Sequence, residues 1–188
     1  MSDINLDLFY FFNTSIKNPI FDFIMPRITD FGGFEALIII ILAIFFYSFI
    51  RKHNTLKKIS FLALISLLFS DLIVYVLKLF INEPRPFITL DNVNLLIDIE
   101  GSYSFPSGHS SSTFAVVLIF LFNIKDLTKK YYKIASVFLI IFALIIPISR
   151  MYVGVHYPID VFSGAIIGCI GAYIINKCKN KILSIFKN

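Results

Sequence analysis

The chain is short of the residues that build covalent staples, metal clusters and water-facing surfaces. It holds two cysteines, three histidines and only 15% charged residues. Cys169 and Cys178 lie in or just after the last apolar run, which excludes a disulfide framework and gives no sign of a metal cluster. No H-E-x-x-H pattern or cysteine pairing points to a bound metal, and no metal is expected. The first residues carry Asp3 and Asp7 in place of a basic stretch, so no cleavable signal peptide is expected. No internal repeat is evident, which argues against the inverted-repeat plan of many transporters.

Apolar side chains are what the sequence has in excess. They make up 57% of 188 residues, 22 of them phenylalanine, with a mean hydropathy of +0.83. No ordinary soluble domain needs so much apolar surface, so the expected fold is all-α, a polytopic membrane helix bundle forming a single domain over residues 1–188. A helix needs about 20 apolar residues to cross the hydrocarbon core. Five crossings are expected, at 34–50, 59–81, 109–122, 132–148 and 159–175, the third extending beyond its apolar run. Residues 1–33 form an N-terminal segment. It is apolar but broken by Asn13, Lys17, Asn18, Pro19 and Asp22, and predicts interfacial amphipathic helices, with a sixth span or re-entrant hairpin as the alternative.

Charge orients this bundle. Twelve of the 17 basic residues fall in the first connection, the third connection and the tail, whereas eleven of the 12 acids lie elsewhere. The positive-inside rule makes that basic side cytoplasmic, so the C-terminus is cytoplasmic and loops 82–107 and 149–157 face outward. The chain is expected in the cytoplasmic membrane. Its formal charge of +5 reads as cytoplasmic anchoring beside anionic lipid, with no nucleic-acid partner.

Three motifs sit on the outward side. Lys78 is followed after six residues by Arg85-Pro86, near the end of the second span; Pro106-Ser107-Gly108-His109 opens the third. Ser149-Arg150 closes the fourth, and His156 with Asp160 opens the fifth. Four helix ends at one depth can share a pocket. Lys78, Arg85 and Arg150 supply three cations, two of them forked donors suited to phosphate oxygens. Ser107 and Gly108 stand where a helix starts, an anion site by its free amides and dipole. Ser104 is expected to cap that helix, with Pro106 in its first turn. Asp160 is four residues after His156, so the two would share a helical face, the carboxylate holding Nδ1–H and leaving Nε2 free to attack phosphorus. His109 is then placed to protonate the leaving oxygen and later to activate water.

Each residue alone has a plainer reading. A cation near a membrane boundary ordinarily snorkels to the headgroups, a Pro-Ser-Gly tripeptide is a turn, and His156 with Asp160 is a capping pair. His53, in the basic loop, takes that plain reading. Three adjacent cations would repel a metal from His109, His156 and Asp160. Asp71 and Glu35 lie at membrane depth and are expected to be hydrogen-bonded or ion-paired. Tyr103, Tyr152 and Tyr157 are expected to anchor the interface. Phe87, Leu90, Leu95 and Leu96 in loop 86–105 are expected to touch lipid.

Together the motifs resemble the type 2 phosphatidic acid phosphatase superfamily, also called the lipid phosphate phosphatase and vanadium haloperoxidase superfamily. Its pattern is Lys-x6-Arg-Pro, Pro-Ser-Gly-His and Ser-Arg-x5-His-x3-Asp, met here at every position across residues 78–160. The resemblance implies phosphate binding by Lys78, Arg85, Ser107, Gly108 and Arg150, and catalysis by His156 as nucleophile, His109 as acid and Asp160 as the orienting carboxylate. It implies no metal and no cofactor, and a lipid phosphate substrate in the bilayer such as undecaprenyl diphosphate, phosphatidylglycerol phosphate or phosphatidic acid. A phosphotransferase using the same site is the nearest rival; a non-catalytic transporter or scaffold is the rival from another class.

Overall fold

The computed structural model describes residues 3–186. Its helices are α1 Asp3–Tyr10, α2 Pro19–Asp30, α3 Phe34–Ile50, α4 Asn54–Ile81, α5 Pro86–Thr89, α6 Gly108–Leu127, α7 Tyr132–Tyr152, α8 Pro158–Lys177 and α9 Lys179–Ile182. A π-helical turn, Phe11–Ser15, extends α1, and a 3-10 turn, Leu183–Phe186, follows α9. No strand occurs among the described residues.

Four helices (α4, α6, α7 and α8) are each long and apolar enough to cross a membrane. A fifth crossing is obtained when α3 is counted with α2, from which it is bent by 60°. The break falls at Gly32-Gly33. The third crossing runs past its apolar stretch to Leu127, as its short hydrophobic run required. Short turns join α3 to α4 and α6 to α7, so the chain runs up and down. The basic turns therefore gather at one end of the bundle and the three motifs at the other. His53 caps α4, its Nδ1 accepting from the Leu56 amide at 3.2 Å.

α6 is the central helix, packed on α4, α7 and α8. Leu37, Ile41, Leu62, Leu67, Ile119 and Ala172 fill the core between α3, α4, α6 and α8. Ile39, Phe46, Phe80, Phe138 and Phe162 point out as a lipid-facing apolar surface. The seam between α6 and α8 has a specific cause. A Cβ added at Gly164 would stand 2.3 Å from the Ser107 carbonyl, and one at Gly168 2.3 Å from the Ser111 carbonyl. Two glycines four residues apart let the backbones touch, as small residues do where lipid offers no hydrophobic drive. The seam sets the starts of α6 and α8 side by side, where the site is built.

Candidate active site

The site forms where α4, α6, α7 and α8 end or begin. α4 stops at Asn82, which takes a left-handed φ of 52°. The chain then runs extended through Arg85 into Pro86, the first residue of α5. Arg150 lies in the last turn of α7. Gly154, with φ +86°, turns the chain back so that His156 faces Arg85 and Asp160; a Cβ at Gly154 would stand 2.9 Å from the Asn94 carbonyl. Pro158 then starts α8.

His156 and Asp160 meet, though not by sharing a helical face. His156 lies before α8, and Asp160 is the third residue inside it. Asp160 Oδ2 accepts the Tyr157 amide at 2.9 Å, one half of a capping box, and so turns toward the residue that precedes it. His156 Nδ1 lies 3.3 Å from the same oxygen. Ser104 Oγ donates to it at 2.5 Å. Burial, reinforced by the Arg85, Arg150 and Lys78 charges and by His109, holds the His156 imidazole well below the ordinary histidine range. That direction favours the neutral ring, whose contact with Asp160 is a hydrogen bond rather than an ion pair. Arg85 Nη1 faces Nε2 at 3.4 Å. A guanidinium has only hydrogens to give, so Nε2 presents its lone pair and Nδ1 carries the proton.

Both arginines are buried to 1% exposure and converge. Arg85 Nε donates to the Ser102 carbonyl at 2.7 Å, Nη1 to the Val155 carbonyl at 3.0 Å and Nη2 to Ser102 Oγ at 2.8 Å. Arg150 Nη1 donates to Thr29 Oγ1 at 3.0 Å. The remaining fork positions meet on one carboxylate. Glu100 Oε2 is 2.6 Å from Arg85 Nη2, and its Oε1 accepts from Arg150 Nη2. Burial alone would raise the Glu100 carboxyl, but Arg150 and Arg85 beside it hold it below its ordinary range. Lys78 Nζ donates to the Tyr103 carbonyl and, at 3.3 Å, to that of Ser104.

Ser107, not Ser104, is the N-cap of α6; its hydroxyl accepts from the Ser110 amide at 3.4 Å. Ser104 is engaged by Asp160 instead, and Pro106 lies ahead of the helix. The Ser107 amide is spent on the Asp160 carbonyl at 3.0 Å, leaving the Gly108 and His109 amides at the open end of the helix. His109 is packed beneath the bend between α2 and α3, where a Cβ on Gly33 would stand 3.3 Å from its Nε2. Ser149 donates to the Ile146 carbonyl at 2.7 Å, within its own helix.

Several expectations are corrected. Tyr152 and Tyr157 are buried, at 0% and 1% exposure, rather than anchors in the interface. Tyr152 donates to Asp22 Oδ1 at 2.6 Å, and Tyr157 shares a 2.6 Å hydrogen bond with Thr89. Tyr103 alone of the three is exposed. Phe87, Leu95 and Leu96 turn inward onto Met25, Tyr152, Val153 and Val155 instead of out to lipid. Asp71 and Glu35 form no ion pair among the described residues. Two residues carried no signal as site residues. Glu100 is one. Asn13, wholly buried, is the other: its Nδ2 donates to the Asn94 and Tyr152 carbonyls at 2.9 and 2.8 Å, tying the N-terminal segment to the 82–107 loop and the end of α7.

A helical membrane bundle with histidine, carboxylate and paired arginines buried at one end defines a class, the membrane-embedded proteins with a buried polar site. Comparison with known proteins narrows it. The model of the PAP2 superfamily matches residues 59–183. A protein of Bacillus licheniformis named bacitracin transport permease protein BcrC is 29% identical, over 93% of this chain and 80% of its own. The undecaprenyl-diphosphatase BcrC of Bacillus subtilis is 31% identical, over 85% and 76%. The crystal structure of a PAP2-type phosphatidylglycerolphosphate phosphatase from Bacillus subtilis superposes with a TM-score of 0.80 at 26% identity, covering 96% of this chain and 89% of that one. The chain belongs to the PAP2 superfamily and is a membrane phosphatase.

Proposed function

We propose that the chain hydrolyses a terminal phosphate or diphosphate on a lipid, through a phosphohistidine on His156. One observation carries this reading: two buried arginines from separate elements converge on one carboxylate, and His156 Nε2 lies 3.4 Å from Nη1 of one of them. His156 Nε2 attacks phosphorus, the bond to the lipid oxygen breaks, and His109 gives that oxygen its proton. Water then attacks the phosphohistidine, His109 takes a proton from it, and phosphate leaves. Lys78, Arg85, Arg150 and the helix start at Ser107 and Gly108 hold the phosphoryl oxygens as their charge shifts. Asp160 keeps the attacking ring in its tautomer. No metal or cofactor takes part.

The names of the relatives support a lipid substrate, with undecaprenyl diphosphate or phosphatidylglycerol phosphate the first to try. So does an apolar groove of about 730 Å³ between α1, α6, α7 and α8. Met151 and Pro158 line it, close in the chain to Arg150 and His156, and its size suits a hydrocarbon chain. One relative is named for transport, but the only buried charged side chains among the described residues, Arg85, Arg150 and Asp160, all lie at one end and line no path across.

Phosphate release by purified protein in detergent with EDTA tests the reading. Release that survives chelation and vanishes in His156→Ala is expected; full activity of that variant overturns the mechanism. The basic turns support a site on the outer face with a cytoplasmic C-terminus. Exposed Cys178 lies at the basic end. In a Cys169→Ser background, a membrane-impermeant maleimide should label Cys178 only after the cells are opened; labelling of intact cells reverses the orientation.

A further inference from the structure

We propose that Glu100 selects the substrate's phosphate: its carboxylate occupies the phosphate position of the resting site, and only a terminal phosphate or diphosphate displaces it. The inference rests on reading Arg85, Arg150 and Lys78 as a phosphate site. Forks from two elements close on the two oxygens of Glu100, Arg85 Nη2 at 2.6 Å and Arg150 Nη2 from the other side. That is the geometry these donors would give to two phosphate oxygens. Arg150 Nε is buried without a hydrogen-bond partner, which leaves a donor that the carboxylate does not use.

The two sides of this contact differ in their freedom. The arginine side chains are 1–2% exposed and are held by other groups, Thr29 for Arg150 and the Val155 carbonyl for Arg85. The Glu100 side chain is 28% exposed and stands in a stretch with no helix or strand. A Cβ added at the adjacent Gly101 would meet nothing within 4 Å, so open space adjoins the carboxylate, while the loop beyond it is held where Arg85 donates to Ser102. The cations are fixed and the carboxylate is the part that can leave.

Displacement sets a charge requirement. A phosphodiester headgroup carries one negative charge and offers the arginines no more than Glu100 already does from a tethered position. A phosphomonoester carries about 1.5 to 2 negative charges at neutral pH, and a diphosphate more. Bilayer phosphodiesters surround the site in great excess. Glu100 keeps them out of the arginine pair while leaving terminal phosphates able to enter.

The test uses the purified full chain in detergent. Binding of inorganic phosphate and of phosphatidylglycerol is measured by calorimetry for wild type and Glu100→Gln. The variant is expected to bind phosphate about tenfold more tightly or better, about 1.4 kcal/mol, and to bind phosphatidylglycerol, which the wild type does not. Unchanged or weaker phosphate binding in a variant that melts like wild type overturns the proposal and makes Glu100 a brace for the arginines. Failure of both proteins to bind phosphate overturns the phosphate-site reading itself. Hydrogen exchange of the wild type reads displacement directly, whether or not the variant folds. Saturating phosphate should speed exchange of residues 99–102; slower or unchanged exchange overturns the proposal.

Discussion

The two ends of the bundle hold positive charge in opposite ways. At one end Arg51, Lys125, Lys129 and Lys133 are exposed, and no residue of the basic turns forms an ion pair among the described residues. At the other end three cations stand among carbonyls and one carboxylate, two of them nearly sealed from solvent. Exposed charges in water are worth little to one another and are screened by salt. Buried, preorganised charges act in a low dielectric and need no rearrangement when a charged group arrives. The larger set of cations suits an anchor, and the smaller set suits the phosphate site proposed above.

Substitutions at the two ends should therefore differ by orders of magnitude. Arg150→Ala or His156→Ala should lower kcat/KM by about 10³-fold or more. Asp160→Asn, which keeps the shape and loses the tautomer control, should leave slow turnover, down about 10²- to 10⁴-fold. Lys129→Ala or Lys133→Ala should stay within about twofold. Steady-state phosphate release from the five purified variants decides it. A lysine variant as damaged as Arg150→Ala would erase the distinction between the ends.

The glycine seam gives the next effect, because it holds the site end together without touching its chemistry. Gly164→Leu drives a side chain into the Ser107 carbonyl, only 2.3 Å from where the Cβ must stand. Overpacking of this kind costs about 1–3 kcal/mol, and here it parts the starts of α6 and α8. A lower melting temperature in detergent together with lost activity is expected. Activity lost at an unchanged melting temperature would place Gly164 in the chemistry instead.

A smaller effect comes from the neutral His156. Its folded-state pKa is depressed, so below about 6.5 the unfolded chain binds a proton that the folded chain refuses. Stability present above that pH is lost as pH falls toward the folded value, by at most about 1.4 kcal/mol per pH unit from this group. Urea melts at pH 7.5, 6.5 and 5.5 should show wild type losing more stability toward acid than His156→Gln. Parallel losses would mean that the ring is not held neutral.

Much of this architecture is legible in the chain, for identifiable reasons. The long helices α3, α4, α6, α7 and α8 follow apolar runs, which bilayer thickness forces into spans. The spacing of His156 and Asp160 is legible too, but its cause is a capping box rather than a shared helical face. The glycine pair at 164 and 168 carries a readable signal in its spacing. Glu100 carries none: an acid in an irregular loop reaches the arginines only through the tertiary path of residues 82–107. Tyr152 and Tyr157 misled because a tyrosine near a membrane boundary reads as an anchor until Asp22 and Thr89 are seen to meet the hydroxyls.

The finest distinction between structural and functional residues at the site end falls on Gly108. Unlike Gly164, it borders open space: an added Cβ would come no nearer to protein than 3.9 Å, at Val74. Gly108→Ala should therefore fold at least as well as wild type, since alanine is favoured over glycine in a helix by up to about 1 kcal/mol. If phosphate approaches the open amides of α6, the new methyl stands in its way. KM should then rise several-fold, with kcat changed less and the melting temperature held or raised. An unchanged KM would mean that phosphate stays clear of residue 108 and that the arginines and Lys78 hold it without the helix start.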